Sequence, residues 1–276
     1  MPRGVSRLDE ALLQGRLWTP ALLGPALWLT ANDLSTISIA TNVSQWRDKS
    51  GFDRHFGTGN ANIQPVYRAT GFNGRPCLEN VSGDSLSIGA SGLGRNVGCI
   101  TCAIVGSHPV SVAIANNATE LAISVGTGAL PRFSMSPNPN ATSKYGFFGR
   151  RLDADAVANF SSSTDSLPNR GNPWIRIGER VYSAGVGNHW TNGIQDMAAL
   201  AGGTPGNTSD TNSTGGSIFT STPNGTKIAE ILLFHFQLTP GQLLALKGYL
   251  AWEWWGDGAP LPALHPFKNR PPLIGD

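Results

Sequence analysis

Lys227–Trp255, KIAEILLFHFQLTPGQLLALKGYLAWEWW, is the stretch that decides the fold. Strand alternation puts Ile228, Glu230, Leu232, Phe234 and Phe236 on one face, and Ala229, Ile231, Leu233 and His235 on the other. Both faces are mostly apolar, so both must be covered. A helix start follows at once. Thr239 suits the cap, Pro240 the first turn, and Gln242 sits three residues after the cap, as a capping box requires. Leu243, Leu246, Lys247, Leu250 and Trp254 then share one helical stripe, with Tyr249 and Trp252 opposite. A helix apolar nearly all round must be sandwiched. It is expected to close a β-sandwich and to lie under another piece of chain or a partner.

The rest of the chain fits that reading. Its 276 residues can bury a full core, and 34 Gly with 19 Pro favour many short strands and turns. Charged residues make up 14 %, against about 25 % in an average domain, and Ser, Thr and Asn fill the surface instead. A net charge of +2 makes no electrostatic case for nucleic acid or an acidic membrane. Cys99 and Cys102 form a CxxC inside a strand-like run with no second such pair, so Cys77, Cys99 and Cys102 are expected to be structural. The sequons between Asn42 and Asn224 are read as by-products of an Asn-rich surface. MPRGVSRLDEALLQG lacks the apolar run of a signal peptide, and no window is long enough to span a membrane.

Three regions are expected: an arm over 1–25, a sandwich over 26–256 with its closing helix, and an extended Pro-rich tail over 257–276. In the arm, Ser6–Leu17 predicts a short amphipathic helix, too short to stand alone, with Leu8, Leu12, Leu13, Leu17 and Trp18 as anchoring residues. Short strands are expected at Ala26–Leu29, Val43–Trp46, Pro76–Leu78, Ser85–Ile88, Ile100–Val105, Val110–Ala115, Leu121–Val125, Trp174–Ile177, Val181–Val186 and His189–Gln195. Pro131–Met135 and Tyr145–Phe148 are weaker, and Leu152–Phe160 suits helix or strand equally. Asn192-Gly193 suits a tight hairpin turn. Gly202–Gly216 is a long connection of the kind that is functional or mobile.

Leu27-Trp28-Leu29, Trp46-Arg47-Asp48-Lys49-Ser50-Gly51, Asn73-Gly74-Arg75-Pro76, Ile228–Phe234 and Gly248–Trp254 resemble the concanavalin A-like (laminin-G-like) jelly-roll domains of tailed-bacteriophage structural proteins. His265-Pro266-Phe267-Lys268 and the SRLDEALLQGRLWTP leader continue the likeness, while about 105 to 220 matches only as generic strands. It departs at Leu78-Glu79-Asn80, where related domains often read Phe-Asp-Gly, and the Glu-x-Asp-x-x-Glu signature of laminarinase-like glucanases is absent. The resemblance implies an all-β concanavalin A-like jelly roll with a C-terminal helix and an N-terminal helical arm. It specifies function poorly.

Retaining glycoside hydrolysis needs two carboxyls roughly 5 Å apart. Asp153 and Asp155 are the nearest alternating pair, and Glu230 stands as the single acid in an apolar strand. A buried carboxylate there needs a partner, a backbone amide or an Arg. No GxSxG occurs, and the five histidines are scattered. Asp48, Asp53 and Asp84 are the candidate calcium ligands, at the rim where laminin-G-like domains sometimes hold the ion; no other cofactor is expected. For carbohydrate, Trp174, Tyr182 and Trp190 beside Asn188 and Asn192 form the candidate platform. Trp252, Trp254 and Trp255 are expected to pack under the tail or the arm.

The expectation is therefore a non-enzymatic virion structural protein, decorating the head or attached to the tail and held by its arm. It would be made in the host cytoplasm, with other virion proteins as partners and self-association open. The alternative is a glycan-binding adhesin for host cell-surface polysaccharide; a glycoside hydrolase ranks third.

Overall fold

The computed structural model describes residues 17–110, 114–123, 130–139, 144–166, 171–209 and 215–276. In chain order the strands are β1 (Leu27–Thr30), β2 (Ile37–Ile39), β3 (Val43–Trp46), β4 (Phe56–Gly57), β5 (Val66–Phe72) and β6 (Arg75–Glu79). Then come β7 (Leu86–Ile88), β8 (Cys99–Ser107), β9 (Leu121–Ile123), β10 (Phe133–Ser136), β11 (Lys144–Gly149) and β12 (Ala158–Ser166). The last are β13 (Trp174–Val181), β14 (Val186–Thr191), β15 (Ile194–Ala201), β16 (Gly216–Ile218) and β17 (Lys227–Phe234), before helix α1 (Pro240–Trp255).

Among the described residues these strands form two antiparallel sheets. One runs β15-β14-β13-β8-β17-β6-β5 with β1 also paired to β17; the other runs β12-β11-β10-β9-β16-β7-β4-β3-β2. Strand β17 lies mid-sheet. One edge pairs with β8 along its length, and the other takes β6 at Lys227 and Ile228, then β1 from Glu230 to Leu233. That double pairing, with a layer on each face, is why its side chains are apolar on both faces.

The layers meet over a ladder of stacked rings, Phe133 on Phe147 (5.3 Å) and Phe147 on Phe160 (4.8 Å). Glycines on the facing strands make room. A Cβ at Gly178 would lie 2.7 Å from Met135 Sδ, and one at Gly187 2.5 Å from the Phe160 ring. At one end of this interface sits a charged cluster with no exposed side chain. Arg176 pairs with Glu120, His108 Nε2 lies 2.6 Å from Glu120 Oε1, and the guanidinium rests 4.0 Å over Trp174 and 4.2 Å over Tyr145.

Helix α1 packs on the outer face of the β17 sheet. Thr239 Oγ1 accepts from Gln242 N and Gln242 Oε1 accepts from Thr239 N, so the expected capping box is formed; Gly256, at φ 76°, ends the helix. The tail wraps the helix, as its apolar circumference required, but as successive turns (Leu261 N to Gly258 O, His265 N to Pro262 O, Lys268 N to His265 O) rather than the expected extended chain. Phe267 lies over Gly248, and Trp252 Nε1 donates to Phe267 O at 2.9 Å. Gly248 is the close-approach point, because a Cβ there would come 2.8 Å from the Phe267 ring. Gly248→Ala is expected to loosen the tail, at a cost of about 1–3 kcal/mol. Trypsin cleavage after Lys268 in the folded protein checks this: the variant should be cut faster than the parent.

Some expectations shift. The run Val181–Val186 is a turn rather than a strand: β13 ends at Val181, and Gly185 with φ 68° lets the chain reverse into β14. Leu152–Phe160 divides into a turn and the start of β12. The long connection yields strand β16 from Gly216. The expected strand at Val110–Ala115 and the arm residues Leu8, Leu12 and Leu13 fall wholly or partly outside the described residues. Leu17 pairs with Leu273, and Trp18 N donates to Pro272 O, so this end of the arm lies against the tail.

Candidate functional site

The outer face of β13, β14 and β15 and the first turns of α1 enclose a groove of about 700 Å³. Its floor is polar. Glu179 projects from β13 and is almost fully buried; its Oε1 accepts from Asn188 Nδ2 (2.8 Å) and Gln237 Nε2 (3.1 Å). The Thr101 hydroxyl sits between Glu179 Oε2 and Phe236 O, at 3.3 and 3.0 Å. Asn188 is fixed at its other end by Ala199 N (2.7 Å), and Ala199 holds a left-handed backbone, φ 45°, where β15 slips register against β14. Strain of this kind persists only where surroundings enforce it.

The wall is apolar: Leu238, Pro240, Leu243 and Leu244 come from the strand–helix link and the first helical turns. Trp190 lines the groove beside Gln195, with Lys247 Nζ 5.1 Å from its ring centre and 3.3 Å from Gly193 O. Burial pushes the Lys247 ammonium down to about 8. The result is an aliphatic wall above a floor that combines one largely buried aromatic ring, Trp190, with an immobilised row of amide and carboxylate groups. Such a surface can stack an apolar ligand face while exchanging hydrogen bonds with its edge.

Strand parity divides the proposed aromatic trio. Trp190 and Asn188 reach the groove. Trp174 points between the sheets, 5.5 Å from the His108 ring, and Tyr182 is buried with its hydroxyl donating to Arg132 O. Neither offers a face to solvent. Asn192 occupies the expected hairpin turn with φ 49°, its Oδ1 accepting from Ile175 N.

The candidate calcium ligands serve as turn builders. Asp48 accepts from Trp28 N, Ser50 N, the Ser50 hydroxyl and Arg54 N; Asp84 accepts from Val81 N; Asp53 is exposed, 3.8 Å from His55. Among the described residues no three His, Cys, Asp or Glu side chains converge as a metal site. Asp153 pairs with Arg132 and Arg150, and Asp155 with Arg151.

No protein-family profile matches the chain, and no curated protein matches it. Solved structures do. Trypanosoma rangeli sialidase in complex with sialic acid aligns at 12% identity over 84% of this chain and 33% of that one, with a TM-score of 0.52. Domain 4 of AbnA, a GH43 extracellular arabinanase from Geobacillus stearothermophilus in complex with arabinotriose, aligns at 13% identity over 79% of this chain and 96% of that one (TM-score 0.54). A structure titled for the dependence of botulinum neurotoxin type C cell entry on two ganglioside molecules aligns at 12% identity over 87% and 53% (TM-score 0.52).

The fold is concanavalin A-like. At these identities the likeness concerns the sandwich alone, and the chain spans about a third of the length of the sialidase it matches. None of these three is a phage protein, so the phage origin expected from the sequence finds no support here.

Within the concanavalin A-like sandwich, Glu179, Gln195, Gln237 and Lys247 are site residues that sequence reading missed. Glu230 had stood as the single acid in an apolar strand, but Glu179 is equally enclosed in β13. The strand sequence WIRIGERV hides it, because Arg176 and Arg180 make the run look solvated although both are buried. Glu230 itself has neither of its expected partners. Its oxygens accept from Trp28 Nε1 (2.7 Å), Trp254 Nε1 (2.5 Å) and the Tyr249 hydroxyl (3.2 Å).

Proposed function

We propose that the chain is a glycan-binding module and that the groove between β13–β15 and α1 holds the sugar. One observation carries this reading: Trp190 lies in the groove floor on the same sheet face as Glu179 and Asn188, which Gln237 and one another hold in place, with a leucine-lined wall across from them. A pyranose or furanose presents an apolar face and an edge of hydroxyls, and this pairing matches both. The named neighbours lend support, since the sialidase was solved with sialic acid and the arabinanase domain with arabinotriose. Binding without hydrolysis fits the lining, in which Glu179 is the one carboxylate, whereas two are needed for the common glycosidase mechanism. The virion role and its anchoring arm are carried by sequence resemblance alone.

Titration calorimetry with arabino-oligosaccharides and with the sialylated oligosaccharide of a ganglioside tests the assignment. Trp190→Leu and Gln237→Ala are each expected to weaken binding about tenfold, the scale of one lost stacking or hydrogen-bonding contact. Phe52→Ala, at an exposed site outside the groove lining, serves as control. Affinity unchanged in both groove variants, with the fold intact by circular dichroism, would place the sugar elsewhere.

A further inference from the structure

A second groove, of about 320 Å³, lies between α1 and the crossing of the arm's end with the tail. Trp18, Tyr249 and Trp252 line it together with Glu253, and Pro271 and Pro272 close one side. Trp18 and Tyr249 are tilted faces with centres 6.0 Å apart. The hydrogen-bonding atoms of two of these rings are already engaged: Trp252 Nε1 donates to Phe267 O and the Tyr249 hydroxyl donates to Glu230. These two rings therefore offer the groove π-faces rather than donors.

The charge in the groove is one-sided. Among the described residues Glu253 accepts from Asn32 Nδ2 and has no cationic partner. Among the described residues, Lys49 is engaged with Asp33 (2.8 Å) and Arg270 with both oxygens of Asp276. A sugar would find few hydrogen-bond partners here. A cation that needs none would find aromatic quadrupoles and a carboxylate.

We propose that this groove is a receptor for a methylated ammonium group, the chemistry shared by choline and trimethyl-lysine. The methyl shell sits against Trp18, Tyr249 and Trp252, and Glu253 balances the charge. The site is separate from the glycan groove, so it stands or falls without it.

Choline and its neutral isostere 3,3-dimethylbutan-1-ol, titrated into the full chain and followed by tryptophan fluorescence and NMR, provide the test. The two have the same shape and differ in charge. Choline is expected to bind at least about tenfold more tightly than the alcohol, the scale of a desolvated cation–π contact. Glu253→Gln and Trp18→Leu should each weaken choline several-fold; the first alters a half-exposed side chain and keeps the fold. Equal affinity for the two probes, choline binding indifferent to both substitutions, or no choline binding at all would overturn the proposal. Displacement of bound choline by a trimethyl-lysine peptide, but not by its unmethylated form, would support the same site.

Discussion

Arg176→Ala is expected to lower the unfolding free energy by about 3–5 kcal/mol, the scale of breaking a buried ion pair. The guanidinium and the Glu120 carboxylate are both fully buried, and His108 hydrogen-bonds the same carboxylate at 2.6 Å. Burial alone would raise the Glu120 carboxyl, but the Arg176 charge and the His108 bond outweigh it and leave the group lowered. Without Arg176 a desolvated charge remains, together with a void beneath Trp174 and Tyr145. Replacing both partners, Arg176→Met with Glu120→Gln, removes the charge mismatch and should cost much less than the summed single losses. Urea unfolding with an unchanged slope reads the differences. A loss under about 1 kcal/mol for Arg176→Ala would mean that the cluster contributes little to stability.

The second large effect depends on pH. Burial pushes the Glu230 carboxyl from 4.5 up to about 7, despite hydrogen bonds from Trp254 and Trp28 that favour its charged form. The folded protein thus keeps a proton that the unfolded chain releases. Stability from this group is fully present below pH 4.5, declines as pH rises, and is lost above about 7. A shift of this size corresponds to about 3 kcal/mol across that window. Glu230→Gln cannot titrate, so the stability of the parent minus that of the variant should fall from pH 5 to 8. Parallel pH profiles would show that Glu230 does not hold this proton. The amide also places an NH2 group against one indole N–H, so the variant should be weaker than the parent at pH 5 by about 1–3 kcal/mol.

How much of this could be read from the residues depends on the range of the signal. The capping box at Thr239 and Gln242 and the two apolar faces of β17 are local, and both appear as expected as far as Phe234, where the strand ends and leaves Phe236 exposed. Strand β4, two residues long, and β16, which emerges from a Gly/Ser/Thr-rich run, exist through their pairing partners, and a window of sequence holds no trace of those. The misread turn after Val181 has apolar residues on each side of it, and only the left-handed Gly185 betrays it. The glycan groove was half legible. Asn188 and Trp190 carry the right chemistry, but Trp174 carries the same chemistry and lies inside. The difference is register: Trp190 pairs with Ile177, three residues on from Trp174 and therefore on the opposite face. Gln237 and Lys247 join the site only because α1 folds back over β13, 58 residues separating Gln237 from Glu179 in the chain.

Strand β17 has a consequence for biosynthesis. It occupies the middle of its sheet, between β8 on one side and β6 with β1 on the other. A ribosome delivers these partners long before it delivers Phe234. Until then the nascent polypeptide carries two half-sheets with unsatisfied inner edges, each a template for sticking to a neighbour. Chains that stop short of Lys227 should therefore aggregate, or be held by chaperones, more than the 276-residue chain does.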